Sequence, residues 1–361
     1  MPSYKNPVIA VVELTHRFFI WVIIGAYGVA AFAPMFGLWI RNEELGSVTV
    51  LGRLLVVSLP PLMLALLLFN AGLGVRIQEL KKLLKKPFVL LGGLFGNLAV
   101  PLAFILGLSL VLKFWHNVEE GQQILVGLAL VAAMPIAGAS TAWAQNANGN
   151  LALSLGLVLL TTTLSPLLTP LVLHAVGYLT IADYSEDLHE LASHSVVTFL
   201  EIWVILPSLL GILTQWVMGE HRMTATKPYL KLTNFGVLVL LNYSNASLSL
   251  PKAFSHPDID FLAIILLIVV ALCLTAFASG YLLARFFQID RNDRASLMFG
   301  LGMNNNGAGL VLASMALPDH PQVMLPIIFY NLVQHLVAAS VDRVLFQQPP
   351  ANQTSGERHP H

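Results

Sequence analysis

The chain has 361 residues, 11% of them charged and 56% hydrophobic, with 19 Lys and Arg against 19 Asp and Glu and one cysteine. A soluble surface needs far more charge than this, and the lone Cys273 excludes an intrachain disulfide or a thiolate metal cluster. Zero net charge gives no basis for a nucleic-acid partner.

Charged residues cluster at intervals. The apolar runs between them are about 20 residues or longer, the length a helix needs to cross about 30 Å of hydrocarbon. In chain order, spans are predicted at 16–40, 50–75, 87–112, 122–146, 150–178, 196–218, 229–250, 259–287, 293–317 and 321–346. The first is too long for a signal-peptide core and lacks a small-x-small cleavage site, so it reads as retained. The tail at 347–361, QQPPANQTSGERHPH, is polar and proline-containing and reads as disordered.

The linkers assigned to one side by this count carry Lys5, Arg17, Arg76, Lys81, Lys82, Lys85, Lys86, Arg222, Lys227, Lys231, Arg285, Arg291, Arg294, Arg343 and Arg358. Only Arg41, Arg53, Lys113 and Lys252 lie on the other side, whose longest linker, TIADYSEDLHELASH, is acidic. Positive charge marks the cytoplasmic face, so both termini are predicted to be cytoplasmic. Short linkers and no sorting signal point to a bacterial inner membrane.

Five spans precede the acidic linker and five follow it. A tandem unit with an odd number of spans sits upside down the second time. The predicted fold class is therefore an all-α membrane protein of ten transmembrane helices in a five-plus-five inverted repeat. Its parts are a first repeat at 1–178, an outside linker at 179–195 and a second repeat at 196–346.

Span 4 reads ALVAAMPIAGASTAWAQNANGN, with Pro135 and Gly138 at mid-membrane depth. Span 9 reads SLMFGLGMNNNGAGLVLASMAL, with four glycines around Asn304, Asn305 and Asn306. Proline removes a backbone donor and each internal glycine costs about 1 kcal/mol relative to alanine, so both spans are predicted to break. Freed backbone is tolerated at this depth only inside protein or beside a wet cavity. Matching broken spans in two halves point to a transporter's binding site; the plainer alternative is a pair of kinked helices packed through small residues.

Other polar groups divide between function and structure. Three consecutive asparagines are expensive in lipid and read as substrate or cation contacts, or as braces for the broken backbone. His335 suits an anion contact, a proton carrier or a packed imidazole donating to a carbonyl. His174 lies in the outer half of span 5 and reads as structural. Thr161, Thr162, Thr163 and Ser165 read as hydroxyls bonded one turn back beside Pro166. Asn242, Ser244, Asn245, Ser247 and Ser249 close span 7, as the lining of an outer mouth or as a fraying helix end.

Four stretches, FNAGLGVRIQELKKLLKKP, MPIAGAST, LALSLGLVLLTTTLSPLLTPLVL and FGLGMNNNGAG, together resemble the bile acid:sodium symporter family in order and spacing. The resemblance implies a panel of spans 1, 2, 6 and 7, a core of spans 3, 4, 5, 8, 9 and 10, and spans 4 and 9 crossing at a central site. Carried over, it places a sodium site on Ser140, Thr141, Ser154, Gly300, Leu301, Met303 and Asn304. Substrate contacts fall on Gly138, Ser140, Thr141, Asn305, Asn306, Gln334 and His335. The family's span-9 glutamate is Gly300 here, a span-5 threonine is Val158, and a span-3 glutamine is Gly96, beside Asn97. Apart from a sodium ion, no cofactor is implied.

The function implied is secondary transport of a small organic anion, a carboxylate or bile-acid-like solute, by alternating access. Sodium coupling, proton coupling and uncoupled transport all stay open, since the cation-site carboxylate is missing. Intramembrane hydrolysis lacks its HExxH, GxSxG or embedded Asp pair, and no nucleotide motif occurs. A cation/proton antiporter would need an embedded acid, and a channel has no pore-lining charge ring here.

Overall fold

A computed structural model describes residues 18–50, 53–75, 86–255 and 257–347. The first residues of the first span, the basic link at 76–85 and nearly all of the tail lie outside the described residues.

Helices α1 (Phe19–Phe32) and α2 (Met35–Asn42) occupy the first expected span, bent by 93° at their junction. Pro34 is the reason: it cannot donate to the preceding turn, and the bend turns α2 away from the α1 axis. The second span differs from its expectation. Val50 and residues 53–58 are not helical but belong to an antiparallel pair of strands, β1 (Glu44–Val50) with β2 (Arg53–Ser58), rich in β-branched Val and Thr. Helix α3 (Leu59–Leu73) starts only where Pro60 and Pro61 occupy its first turn, positions that need no N–H.

Helix α4 (Pro87–Leu112) is followed by α5 (Val118–Ala133), α6 (Ala139–Asn146) and α7 (Leu151–Gly177). The acidic linker forms α8 (Asp183–Glu190), which runs through a π-turn into α9 (Val196–Phe199). A second π-turn leads to α10 (Leu206–Ser255), kinked at Gly219, whose φ of 75° requires a glycine-like backbone. The remaining helices are α11 (Ile259–Phe286), α12 (Arg291–Gly302), α13 (Asn306–Ala316) and α14 (Met324–Val341). Side chains cap five of the starts: Asn117, Asn150, Asp258, Asp290 and Asn305 each accept a first-turn N–H.

Among the described residues, five helices are long and apolar enough to cross a membrane, six if the bent α1–α2 pair counts as one. The expected spans 4 and 9 are each split into two short helices, and α3 has only 15 residues.

Packing falls into two sets. Helices α1, α2 and α3 lie against α10, and the approach is close enough that a methyl on Gly72 would sit 3.1 Å from the Gly211 Cα. Helices α4 to α7 pack among α11 to α14, with an apolar cluster of Val89, Ile136, Leu153, Leu157, Leu297 and Leu301 between α4, α7 and α12.

The polar end of the expected span 7 is not frayed. Asn242, Ser244, Asn245, Ser247 and Ser249 are helical and at most 2% exposed. The hydroxyls of Ser244 and Ser247 bond back to Leu241 and Tyr243.

Candidate functional site

The two broken spans meet backbone to backbone. Met134 leaves α5 in extended conformation (ψ 144°), and Met303 leaves α12 likewise (φ −131°, ψ 111°). Ile136 and Asn304 then form an isolated antiparallel bridge, in which Ala137 N–H donates to the Met303 carbonyl and Asn305 N–H to the Pro135 carbonyl, both at 2.9 Å. Two breaks that would each strand polar backbone in lipid thus satisfy one another.

The groups left over find side chains. Pro135 has no N–H, so the Val131 carbonyl loses its helical donor and accepts from Asn304 Nδ2 at 2.8 Å. Ala133 O accepts from Thr169 Oγ1 at 2.6 Å. Ile136 N–H donates to Thr161 Oγ1 on α7 at 3.1 Å, and Asn304 N–H donates to Gln334 Oε1 on α14 at 3.1 Å. Each bridge residue is therefore held by a side chain from the long helix that follows its own broken span.

Of the residues read from the sequence, Thr141 and Ser154 are together, with Ser154 Oγ donating to Thr141 Oγ1 at 3.2 Å. The buried Ser140 hydroxyl has no partner. Asn305 caps its own helix through Ala308 N–H, while Asn306 is 1% exposed with neither end of its carboxamide bonded. Gln334 joins the crossing directly. His335 turns instead to α6, where Trp143 Nε1 donates to its Nδ1 at 3.4 Å and Phe19 meets its ring edge-on. Gly138 opens α6 and is exposed.

Gly300 and Leu301 lie elsewhere in character. A methyl built on Gly300 would sit 3.2 Å from Leu157 and 3.8 Å from Ile136, and Leu301 belongs to the same apolar cluster. Met303 contributes its carbonyl to the bridge. Among the described residues no group of three or more His, Cys, Asp or Glu is placed to hold a metal ion.

Two features escaped the sequence reading. The first is a chain from the crossing to α10: Gln334 Nε2 donates to Asn331 Oδ1, Asn331 Nδ2 donates to Asn242 Oδ1 at 2.9 Å and to Tyr27 Oη at 3.0 Å, and Tyr27 Oη donates to Asn242 at 2.7 Å. Asn331 stands one helical turn before Gln334, and that spacing was the available signal. The second is an anchor at the start of α12. Asp293, 1% exposed, accepts from Lys86 Nζ through Oδ2 and from Asn150 Nδ2 through Oδ1. Lys86 is held more firmly protonated than usual, chiefly by its hydrogen bond to Asp293.

Comparison with known proteins follows the same lines. The family model described as Sodium Bile acid symporter family matches residues 61–254. The chain is 29% identical over 287 residues to the uncharacterized protein YbaS of Bacillus subtilis (strain 168), covering 77% of this chain and 86% of that one. It is 23% identical over 261 residues to the uncharacterized sodium-dependent transporter YocS of the same organism, covering 70% and 72%. It is also 24% identical over 336 residues to the probable sodium/metabolite cotransporter BASS2, chloroplastic, of Oryza sativa subsp. japonica, covering 87% and 66%. With its apolar helices, this makes the chain a multi-pass membrane transporter and not an enzyme. On a match spanning more than half its length, the chain belongs to the sodium bile acid symporter family.

Proposed function

We propose that the chain carries a small organic anion, a carboxylate or bile-acid-like solute, across a bacterial inner membrane by alternating access, with both termini cytoplasmic. The substrate sits at the crossing of the two broken spans. The observation that carries this reading is the Ile136–Asn304 bridge and the matched way its N–H groups reach Thr161 and Gln334. Such matched bonding is what a five-plus-five inverted repeat would produce, and the two helix sets then correspond to a panel (α1 to α3 with α10) and a core (α4 to α7 with α11 to α14).

An anion suits the crossing because α6 and α13 both start there. The first-turn N–H groups of a helix have no intrahelical acceptors, and the helix dipole adds partial positive charge. Gly138, Ser140, Thr141, Asn305, Asn306, Gln334 and His335 are the proposed substrate contacts. The unpaired Ser140 hydroxyl and Asn306 carboxamide support this, since buried polar groups normally have partners.

Coupling is proposed to be to sodium, with Ser140, Thr141, Ser154, Gly300, Leu301, Met303 and Asn304 as the site carried over from the family. The apolar surroundings of Gly300 favour a second reading, proton-coupled or uncoupled transport of the same anion.

Reconstitution into vesicles tests both. A carrier shows saturable uptake and counter-flow for at least one small carboxylate, and a channel shows no counter-flow. Acceleration by an inward sodium gradient, but not by potassium or acid outside, supports sodium coupling. Equal uptake in sodium and potassium moves the assignment to the second reading.

A further inference from the structure

We propose that the face carrying the acidic linker holds a binding site for a small amino acid. Glu119 and Gln123 on α5, beside the buried charge of Glu120, take its ammonium, and Lys252 at the end of α10 takes its carboxylate. The binding is independent of the crossing, and only its effect on transport rests on the carrier reading.

The cavity measures about 300 Å³ and is walled by Glu119, Glu120, Gln123, Lys252, Asp258 and Gln322 with apolar neighbours. That is room for about ten water-sized particles, too much for a bare ion and at the lower end of sites for small organic molecules. It lies where the end of α10 meets the starts of α5 and α11 and the short turn Pro321–Val323, so its wall draws on both helix sets. Gln123 Nε2 donates to Tyr184 Oη of α8 at 3.3 Å, which puts the cavity beside the acidic linker, the outside in the proposed orientation.

The α5 part of the wall holds negative charge and an acceptor with nothing to accept from. Glu120 is 6% exposed, and its carboxylate oxygens accept from neutral donors, Trp115 Nε1 and Asn117 Nδ2, both at 2.7 Å. Among the described residues no cation pairs with it. Gln123 is likewise 6% exposed, and its Nε2 donates to Glu119 Oε1 at 3.3 Å as well as to Tyr184. An ionised Glu119 only accepts, which fixes the carboxamide this way round and leaves Gln123 Oε1 buried without a partner. Asp258 adds a third carboxylate to the wall.

A buried charge without a counter-charge and a buried acceptor without a donor are each costly, and a primary ammonium relieves both with one charge and three N–H donors. Lys252, from α10, has the reverse need. Its side chain offers donors and a positive charge, and among the described residues it makes no ion pair. A carboxylate answers it. Lys252 repels a diamine and the α5 acids repel a simple carboxylate, so the wall selects a molecule bearing both charges. Held between Lys252 on α10 and Glu119 and Gln123 on α5, such a molecule ties the two helix sets together and slows a carrier cycle that moves them apart.

The test is calorimetric titration of the purified full-length protein with glycine, β-alanine and 4-aminobutyrate, against butylamine and 1,4-diaminobutane. At least one amino acid should bind at millimolar concentration, and the two amines about tenfold more weakly or worse. Gln123→Leu should weaken the amino acid about tenfold or more. Lys252→Glu should do the same and bind 1,4-diaminobutane more tightly than wild type does, a gain that disruption of folding cannot mimic. Thr141→Ala, at the crossing, should leave the affinity unchanged. The proposal is overturned if no amino acid binds wild type, if the amines bind it equally well, or if Gln123→Leu and Lys252→Glu bind the amino acid like wild type. It is equally overturned if Lys252→Glu gains nothing for the diamine, or if Thr141→Ala abolishes binding. In vesicles, the same amino acid added outside should slow carboxylate uptake; binding that leaves uptake unchanged overturns the tie between the helix sets. Amino-acid binding with no counter-flow for any carboxylate leaves the site standing and overturns the carrier. Counter-flow without amino-acid binding leaves the carrier standing and overturns the site.

Discussion

The carboxamide of Asn304 donates to the carbonyl of Val131 at 2.8 Å, and Val131 is the residue four before Pro135. The second broken span thus supplies the donor that the first span's proline lacks. Asn304→Ala should leave that buried carbonyl unpaired and cost about 1–3 kcal/mol. The drop in unfolding temperature in detergent, with loss of carboxylate uptake, checks this.

Asn306 predicts the opposite sign. Its carboxamide is buried with no partner, so the fold bears its desolvation without a compensating bond. Asn306→Ala should raise stability by about 1 kcal/mol while lowering uptake. Equal or lower stability would mean that the amide is already satisfied in the unliganded protein.

Thr161 and Gln334 hold the two bridge residues from opposite sides. Thr161→Val keeps shape but loses the acceptor, and should destabilise by about 1–3 kcal/mol; Gln334→Ala should do the same. Gln334→Glu keeps an acceptor oxygen and should retain more stability than the alanine variant while its buried carboxyl stays protonated, an advantage lost as pH rises and the carboxyl would have to ionise without a cation partner. Chemical denaturation of the three variants side by side measures the ordering.

Gly72 and Gly211 face each other where α3 crosses α10, and a methyl on either would run into backbone of the other helix. Gly211→Leu should force the helices apart and abolish a monodisperse folded species. Gly25→Ala, with nothing within 4 Å of the added carbon, should be tolerated. Size-exclusion profiles of the two variants decide this.

Lys86 is the cation on a carboxylate that is only 1% exposed. Lys86→Met should cost about 2 kcal/mol by leaving Asp293 with Asn150 as its remaining side-chain donor. Adding Asp293→Asn should recover part of the loss, because the uncompensated charge is then gone. A double-variant cycle of unfolding temperatures reads the coupling.

Several features were legible because their causes are local. The break at Pro135 follows from a missing N–H, and the break around Asn304 from glycines that favour no single conformation. One reading went astray, and one of two alternatives fell, for reasons beyond hydropathy. Residues 50–58 are apolar enough to be read as helix, yet residues 53–58 pair with residues 44–50 as strands, and a hydropathy window does not see a partner strand. The serines and asparagines of α10 read as the lining of an outer mouth or as a fraying helix end; the fraying is excluded, because they are helical and packing against α2 and α13 buries them.

What the sequence determined by itself is the class of molecule: apolar runs long enough for a bilayer, charges confined between them, two broken spans and membership of a transporter family. These are properties of composition and of single backbone positions. Tertiary structure alone decided that the two breaks bond to each other, and that Asn304 braces, Asn305 caps and Asn306 stays unpaired. The physical reason is that a released N–H or carbonyl must be satisfied by whatever lies nearest in space. At Val131 that is Asn304, which stands 173 residues away along the chain.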